Sequence, residues 1–118
     1  FQPVPYINVY SATKAFVVSY SRALNMELKK QKISVTCVCP YWTKTQFFKR
    51  AVDLENQVVK KYVVMYDAQK VIDKAFADAK KRKELSTYGF KAVSQRRLVK
   101  FMPHKLVMKI WMHQQKLK

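Results

Sequence analysis

The chain has 118 residues, 49% of them hydrophobic, and a formal net charge of +17. That length suits one modest domain, the apolar content excludes wholesale disorder, and no apolar run reaches the ~18 residues that a membrane-spanning helix requires. The single glycine, Gly89, excludes a glycine-rich phosphate loop.

Two functional classes follow from the charge. One is a polyanion partner, nucleic acid or an anionic membrane. The other is one half of a protein whose remainder is more acidic. The basic residues are spread along the chain, with one cluster at Lys80, Lys81, Arg82 and Lys83, and are not interleaved with aromatics in a nucleic-acid motif. The second class is therefore preferred. The chain starts at Phe1 rather than Met, and is expected to be processed or to lack its beginning. No secretory leader is expected at its start.

Asn8 to about Lys30 is expected to be helical, with Ala12, Phe16, Val17, Tyr20, Leu24 and Leu28 at three-to-four spacing on one face. Asn8 would cap it, and Lys29 and Lys30 would suit its negative end. "ISVTCVCP" alternates and is rich in β-branched residues, so Ile33 to Cys39 is expected to form a buried strand stopped by Pro40. Alternation puts Cys37 and Cys39 on one face, where same-strand neighbours make poor disulfides. His104 and His113 are not at ligand spacing, so no metal site is expected. Buried reduced thiols fit a cytoplasmic protein.

Short helices are expected around Phe47–Val52 and Val58–Val63. Asp67 should cap a further helix with Val71, Ile72, Ala75, Phe76 and Ala79 inward. "ELSTYGF" is expected to be a short strand ending at Gly89, and Lys91 to Phe101 a basic helix. Pro103 opens a last helix with Leu106, Val107, Ile110 and Trp111 on one side.

Two Tyr-x-x-x-Lys pairs occur, Tyr10 with Lys14 and Tyr66 with Lys70, so the spacing alone selects neither. Tyr66 and Lys70 straddle the Asp67 cap. Tyr10 and Lys14 lie in the first turns of a helix that feeds a buried strand ending in a polar turn, "PYWTKT". Loops beyond strand ends are where open α/β sheets bind ligands.

With "YSATK", "ISVTCVCP", Pro40 and Thr45 in this order, the chain resembles the C-terminal half of a short-chain dehydrogenase/reductase. The resemblance is strongest to about Phe48, and the distal part is similar to some bacterial members. It implies an α/β fold, a partial Rossmann-type three-layer sandwich without the N-terminal cofactor-binding strands. All of residues 1–118 would be one portion of that domain. Residues to about 50 would hold the active-site helix and strand, and 51–118 the substrate loop, distal helices and last strand. The implied activity is hydride transfer between NAD or NADP, with NADP preferred, and a small carbonyl or alcohol substrate.

The resemblance assigns Tyr10 as proton donor. A phenol titrates near ~10, and a neighbouring ammonium favours the phenolate. Lys14, one helical turn on, can bring that charge. By analogy Tyr10 and Lys14 also hold the nicotinamide ribose, while Pro40, Thr43 and Thr45 contact the cofactor. The helix carrying the pair is a subunit contact in the family, so a homo-oligomer is implied, with Phe16 and Tyr20 either at that interface or in the core.

Several family features are missing. The glycine-rich turn is absent, the family's catalytic serine would fall before Phe1, and Tyr41 stands where the family has glycine. The isolated chain is therefore expected to bind cofactor poorly and not to turn over. The alternative function is a basic module for nucleic acid or an anionic membrane. Nucleic acid is the less favoured of these, and Phe101–Lys118 is the segment suited to peripheral membrane contact, against a lid or packing helix.

Overall fold

The computed structural model describes residues 2–46 and 64–117. The expected short helices around Phe47–Val52 and Val58–Val63 lie outside these residues. In chain order the elements are α1 (Asn8–Glu27), β1 (Cys37–Val38), α2 (Ala68–Lys80), β2 (Leu85–Ser86), α3 (Phe90–Phe101) and α4 (His104–Gln114). The two strands pair in parallel, Cys37 with Leu85 and Val38 with Ser86. This is an α-rich α/β arrangement with one small parallel sheet among the described residues.

α1 starts one residue earlier than a cap at Asn8 would allow. Ile7 precedes the helix, its carbonyl accepts from the Ser11 amide at 3.0 Å, and the Asn8 side chain accepts from the adjacent Val9 amide at 2.7 Å. Lys29 and Lys30 lie beyond the helix in a 3₁₀ turn, Leu28–Gln31. Lys32 reverses the chain in the left-handed region, φ 61°. The inward face also differs from the expected stripe. Val18, Leu24, Asn25 and Leu28 are half-buried, while Phe16 (68% exposed) and Tyr20 (57%) face out and stack on each other. Phe16 and Tyr20 are thus not core residues of this chain.

The expected strand Ile33–Cys39 contracts to two residues, because among the described residues ladder partners stand only there. The Cys37 amide donates to Glu84 at 2.8 Å and the Cys39 amide to Ser86 at 2.8 Å. The residues before them are held by side chains instead. The Val35 amide donates to the Asn25 side chain at 2.8 Å, and the Thr36 hydroxyl to the Lys83 carbonyl at 2.7 Å. Arg22 and Glu84, 3.3 Å apart, add a tie between α1 and the approach to β2. Cys37 is buried and Val38 is exposed, so the strand is buried on one face only.

Asp67 caps α2 as its position requires, accepting from the amides of Gln69 at 3.0 Å and Lys70 at 3.3 Å. The inner stripe of α2, however, is Val71 and Asp78, with Ile72, Phe76 and Ala79 outward. An aspartate can occupy that stripe because three donors meet it. Lys74 and Lys83 pair with its two oxygens, Lys83 at 2.8 Å, and the buried Ser86 hydroxyl donates at 2.9 Å. Burial alone raises the Asp78 carboxyl, but these partners outweigh it and hold the group well below the usual carboxylate range. The C-terminal end of α2 is locked to β2 in this way.

β2 is Leu85–Ser86 rather than the whole of "ELSTYGF". Gly89 precedes α3 with φ 94°, ψ 137°, a conformation that favours glycine. A β-carbon there would also fall inside the ring of Tyr66. The chain's one glycine is therefore required twice at this position, by backbone angle and by close approach. Pro103 starts α4, whose Val107 is buried and Trp111 half-buried, while Leu106 and Ile110 face outward. No helix among the described residues is long and apolar enough to cross a membrane. Among the described residues, Phe16, Tyr20, Phe76, Phe90, Phe101 and Ile110 leave much of the apolar surface of these helices exposed.

Candidate active site

Tyr10 and Lys14 sit one turn apart near the start of α1, with the Lys14 ammonium 5.3 Å from the centre of the Tyr10 ring. That is within cation–π range. Tyr10 is 48% exposed. Helical rise carries the chain about 21 Å from Lys14 to Leu28, and the extended residues after the reversal return about 23 Å by Pro40. Because α1 is tied to the segment before β1 through Asn25 and Val35, the chain doubles back. The chain then enters the turn that follows Pro40.

That turn is fixed by Tyr66. The Tyr66 amide donates to Trp42 at 2.8 Å, and the Lys44 amide donates to Tyr66 at 2.9 Å. Together they make a parallel bridge between Thr43 and Tyr66. The Thr43 hydroxyl donates to the Tyr41 carbonyl at 2.8 Å, which holds the threonine oxygen in one place with acceptor capacity left. Pro40 and Thr45 are exposed on either side of this bridge.

Tyr41, the residue in place of the family glycine, does not take a positive φ. Its ring lies edge-on to Trp42 and Tyr66, with centroids at 6.1 and 6.2 Å, and its hydroxyl donates to Gln95 of α3 at 2.7 Å. Burial pushes the Tyr41 phenol up from its ordinary range, against a lowering contact from Trp42. Tyr66 in turn meets Tyr88 edge-on at 5.3 Å. The turn is thus remodelled as an aromatic cluster rather than a glycine bend. The cluster and the Asp78 lock were not anticipated. Their only sequence signals were the density of aromatics at 41, 42, 66 and 88 and an aspartate on an apolar face four residues from Lys74.

Cys37 and Cys39 share a face, their sulfurs 3.9 Å apart and both free. Burial, the Cys37 sulfur and a hydrogen bond from it push the Cys39 thiol up to about 12. No group of three metal-ligating side chains occurs among the described residues.

These residues fit the nicotinamide-ribose end of a dinucleotide, where an exposed phenol beside an ammonium can bond to ribose hydroxyls. The 118 residues offer no glycine-rich turn for its pyrophosphate.

Residues 1–56, just under half of the chain, match the family model described as short chain dehydrogenase. Among curated proteins the chain is similar to the very-long-chain 3-oxoacyl-CoA reductase of Bos taurus, 45% identical over 47 residues, covering 40% of this chain and 15% of the relative. The very-long-chain 3-oxoacyl-CoA reductase-B of Danio rerio is 39% identical over 62 residues, 52% of this chain and 20% of the relative. The human reductase is 40% identical over 47 residues, 40% of this chain and 15% of the relative. The chain therefore spans a fifth or less of the length of these relatives. No solved structure matches it.

Proposed function

We propose that the chain is the distal segment of an NAD(P)-dependent oxidoreductase that interconverts a carbonyl and an alcohol. Oxidoreductase relationship at the level of the family rests on the match over residues 1–56. The observation that carries the chemistry is the exposed Tyr10 phenol with the Lys14 cation against its ring. When bound, the nicotinamide supplies or accepts the hydride. Tyr10 donates a proton to the carbonyl oxygen, and Lys14 keeps positive charge beside it and bonds to the ribose hydroxyls. Pro40, Thr43 and Thr45 line the carboxamide side, with Thr43 positioned by Tyr66. Across the whole protein the sheet would extend on both sides of β1 and β2 into a three-layer sandwich, and the outward Phe16 and Tyr20 of α1 would meet a second subunit.

The names of the relatives favour a 3-oxoacyl-CoA thioester as substrate, and NADPH is kept as the preferred reductant of this reading. The free thiol pair suits a reducing compartment, the cytoplasm or a membrane face exposed to it. The test is NADPH oxidation by the natural polypeptide that carries these residues, with a 3-oxoacyl-CoA and with simple ketones. Turnover that Tyr10→Phe abolishes supports the proposal. Binding and oxidation of no nicotinamide by that polypeptide would end it. The 118 residues alone should bind NADPH more weakly than micromolar, because no glycine-rich loop is present to take the pyrophosphate.

A further inference from the structure

Acidic residues are not evenly distributed. From residue 85 to residue 118 there are eight Lys and Arg and no Asp or Glu. The helices α3 and α4 therefore carry cations with no acidic partner on either element. On α3 the exposure pattern adds a second feature. Phe90 (87% exposed), Leu98 (62%) and Phe101 (83%) are three large apolar side chains left in solvent, whereas Ala92 is buried and Val93, Arg96 and Val99 are half-buried.

At about 100° per residue, Phe90, Phe101 and Leu98 fall within an arc of roughly 80°. Lys91 lies just past Leu98 on one flank, and Arg97 and Lys100 lie past Phe90 on the other, all three exposed. The two phenylalanines are about 17 Å apart along the axis. An apolar stripe with cations on both flanks matches a helix lying in the plane of an anionic lipid surface, where rings enter the acyl boundary and ammonium and guanidinium groups meet phosphates. Nucleic acid would use the cations but leave two exposed phenylalanines and a leucine without a role, since no base-stacking platform of flat aromatics is formed between them.

We propose that the outer face of α3, through Phe90, Leu98 and Phe101 with Lys91, Arg97 and Lys100, is a peripheral binding surface for anionic phospholipid. This moves the membrane contact expected for Phe101–Lys118 one helix upstream, to a face that α3 leaves open. It is independent of the Tyr10 chemistry, so failure of either leaves the other standing.

The experiment is co-sedimentation of the full chain with phosphatidylcholine vesicles, with and without about one-third phosphatidylserine, at physiological salt. The parent chain should pellet with the anionic vesicles only. Phe90→Ser with Phe101→Ser should weaken that binding by about tenfold or more, whereas Phe90→Leu with Phe101→Leu should retain it. Lys91→Glu with Arg97→Glu should also lose binding. These side chains lie outside the core, so circular dichroism should show parental helix content in every variant. If the serine variant pellets as the parent does, the attraction is only that of a strongly basic chain, and the proposal fails. If the parent chain binds duplex DNA but does not pellet with the anionic vesicles, the face belongs to nucleic acid, and the proposal fails equally.

Discussion

Tyr10–Lys14 and Tyr66–Lys70 share a spacing but not a setting. Tyr10 is half in solvent, on the first turns of a helix, with its lysine folded over its ring. Tyr66 is locked on every side. Its backbone bridges Thr43, and its ring covers Gly89 and meets Tyr41 and Tyr88. A group that exchanges protons with a substrate must be reachable, and a group that fixes a loop must not move. The two pairs divide those tasks, because the clamped tyrosine holds the turn that the open one is proposed to work beside.

The largest effect should come from the open pair. In the natural polypeptide, Tyr10→Phe should lower kcat by about 10²–10⁴, the usual contribution of a positioned proton donor. KM should stay within a few-fold. Tyr66→Phe keeps the ring and the bridge and should leave kcat within about twofold. Equal losses in both variants would break the distinction.

Next in size is the packing of Tyr66 on Gly89. Gly89→Ala forces a β-carbon into the ring and a side chain into a φ of 94°, a combined cost of about 3 kcal/mol. Chemical denaturation of the chain would measure it. Adding Tyr66→Ala should recover the steric share of that loss, so the double variant should be more stable than the sum of the two singles. Strict additivity would show that the ring does not rest on the glycine.

The elements most visible in the sequence were those whose causes are local. Asp67 caps α2 through its own side chain, Pro103 starts α4, and the helical periods of α1 and α3 place each within a few residues. The elements that differed depend on partners distant in the chain. Ile33–Val35 have the composition of a strand but no ladder beside them, so Asn25 and Lys83 hold them instead. The apolar positions of α1 could define two faces, and the one turned inward carries Asn25, whose side chain accepts from the Val35 amide. Of the candidate site, the Tyr10–Lys14 pair and the proline turn were readable. That Tyr66 anchors the turn was not, because the bridge joins residues 23 positions apart.

A smaller effect tests the other fixed point of the sheet, Asp78. Its folded carboxyl lies below the unfolded value, so the stabilisation is complete above about pH 4, where an unfolded aspartate is ionised. It is lost as pH falls from there through the folded value. Asp78→Asn should cost about 1–2 kcal/mol near neutrality, a modest figure because Lys74 and Lys83 are themselves partly exposed to solvent. Thermal unfolding of the parent should decline below about pH 4, and the gap between parent and Asp78→Asn should close as it does. A gap that persists at low pH would mean that the aspartate acts through packing and not through its charge.

The smallest expected effect concerns the residue in the glycine's place. Tyr41→Phe removes one partly exposed hydrogen bond to Gln95 and should cost about 0.5–1 kcal/mol. The edge-on contacts to Trp42 and Tyr66 survive in this variant, so the turn should keep its shape. Tyr41→Gly instead restores the family residue and removes the ring from the cluster. If the Tyr66 bridge is what sets the turn, the glycine variant should lose stability and gain nothing in nicotinamide affinity in the natural polypeptide. Tighter cofactor binding in Tyr41→Gly would show that the tyrosine obstructs the pocket, and the aromatic cluster would then be a cost to the site and not its support.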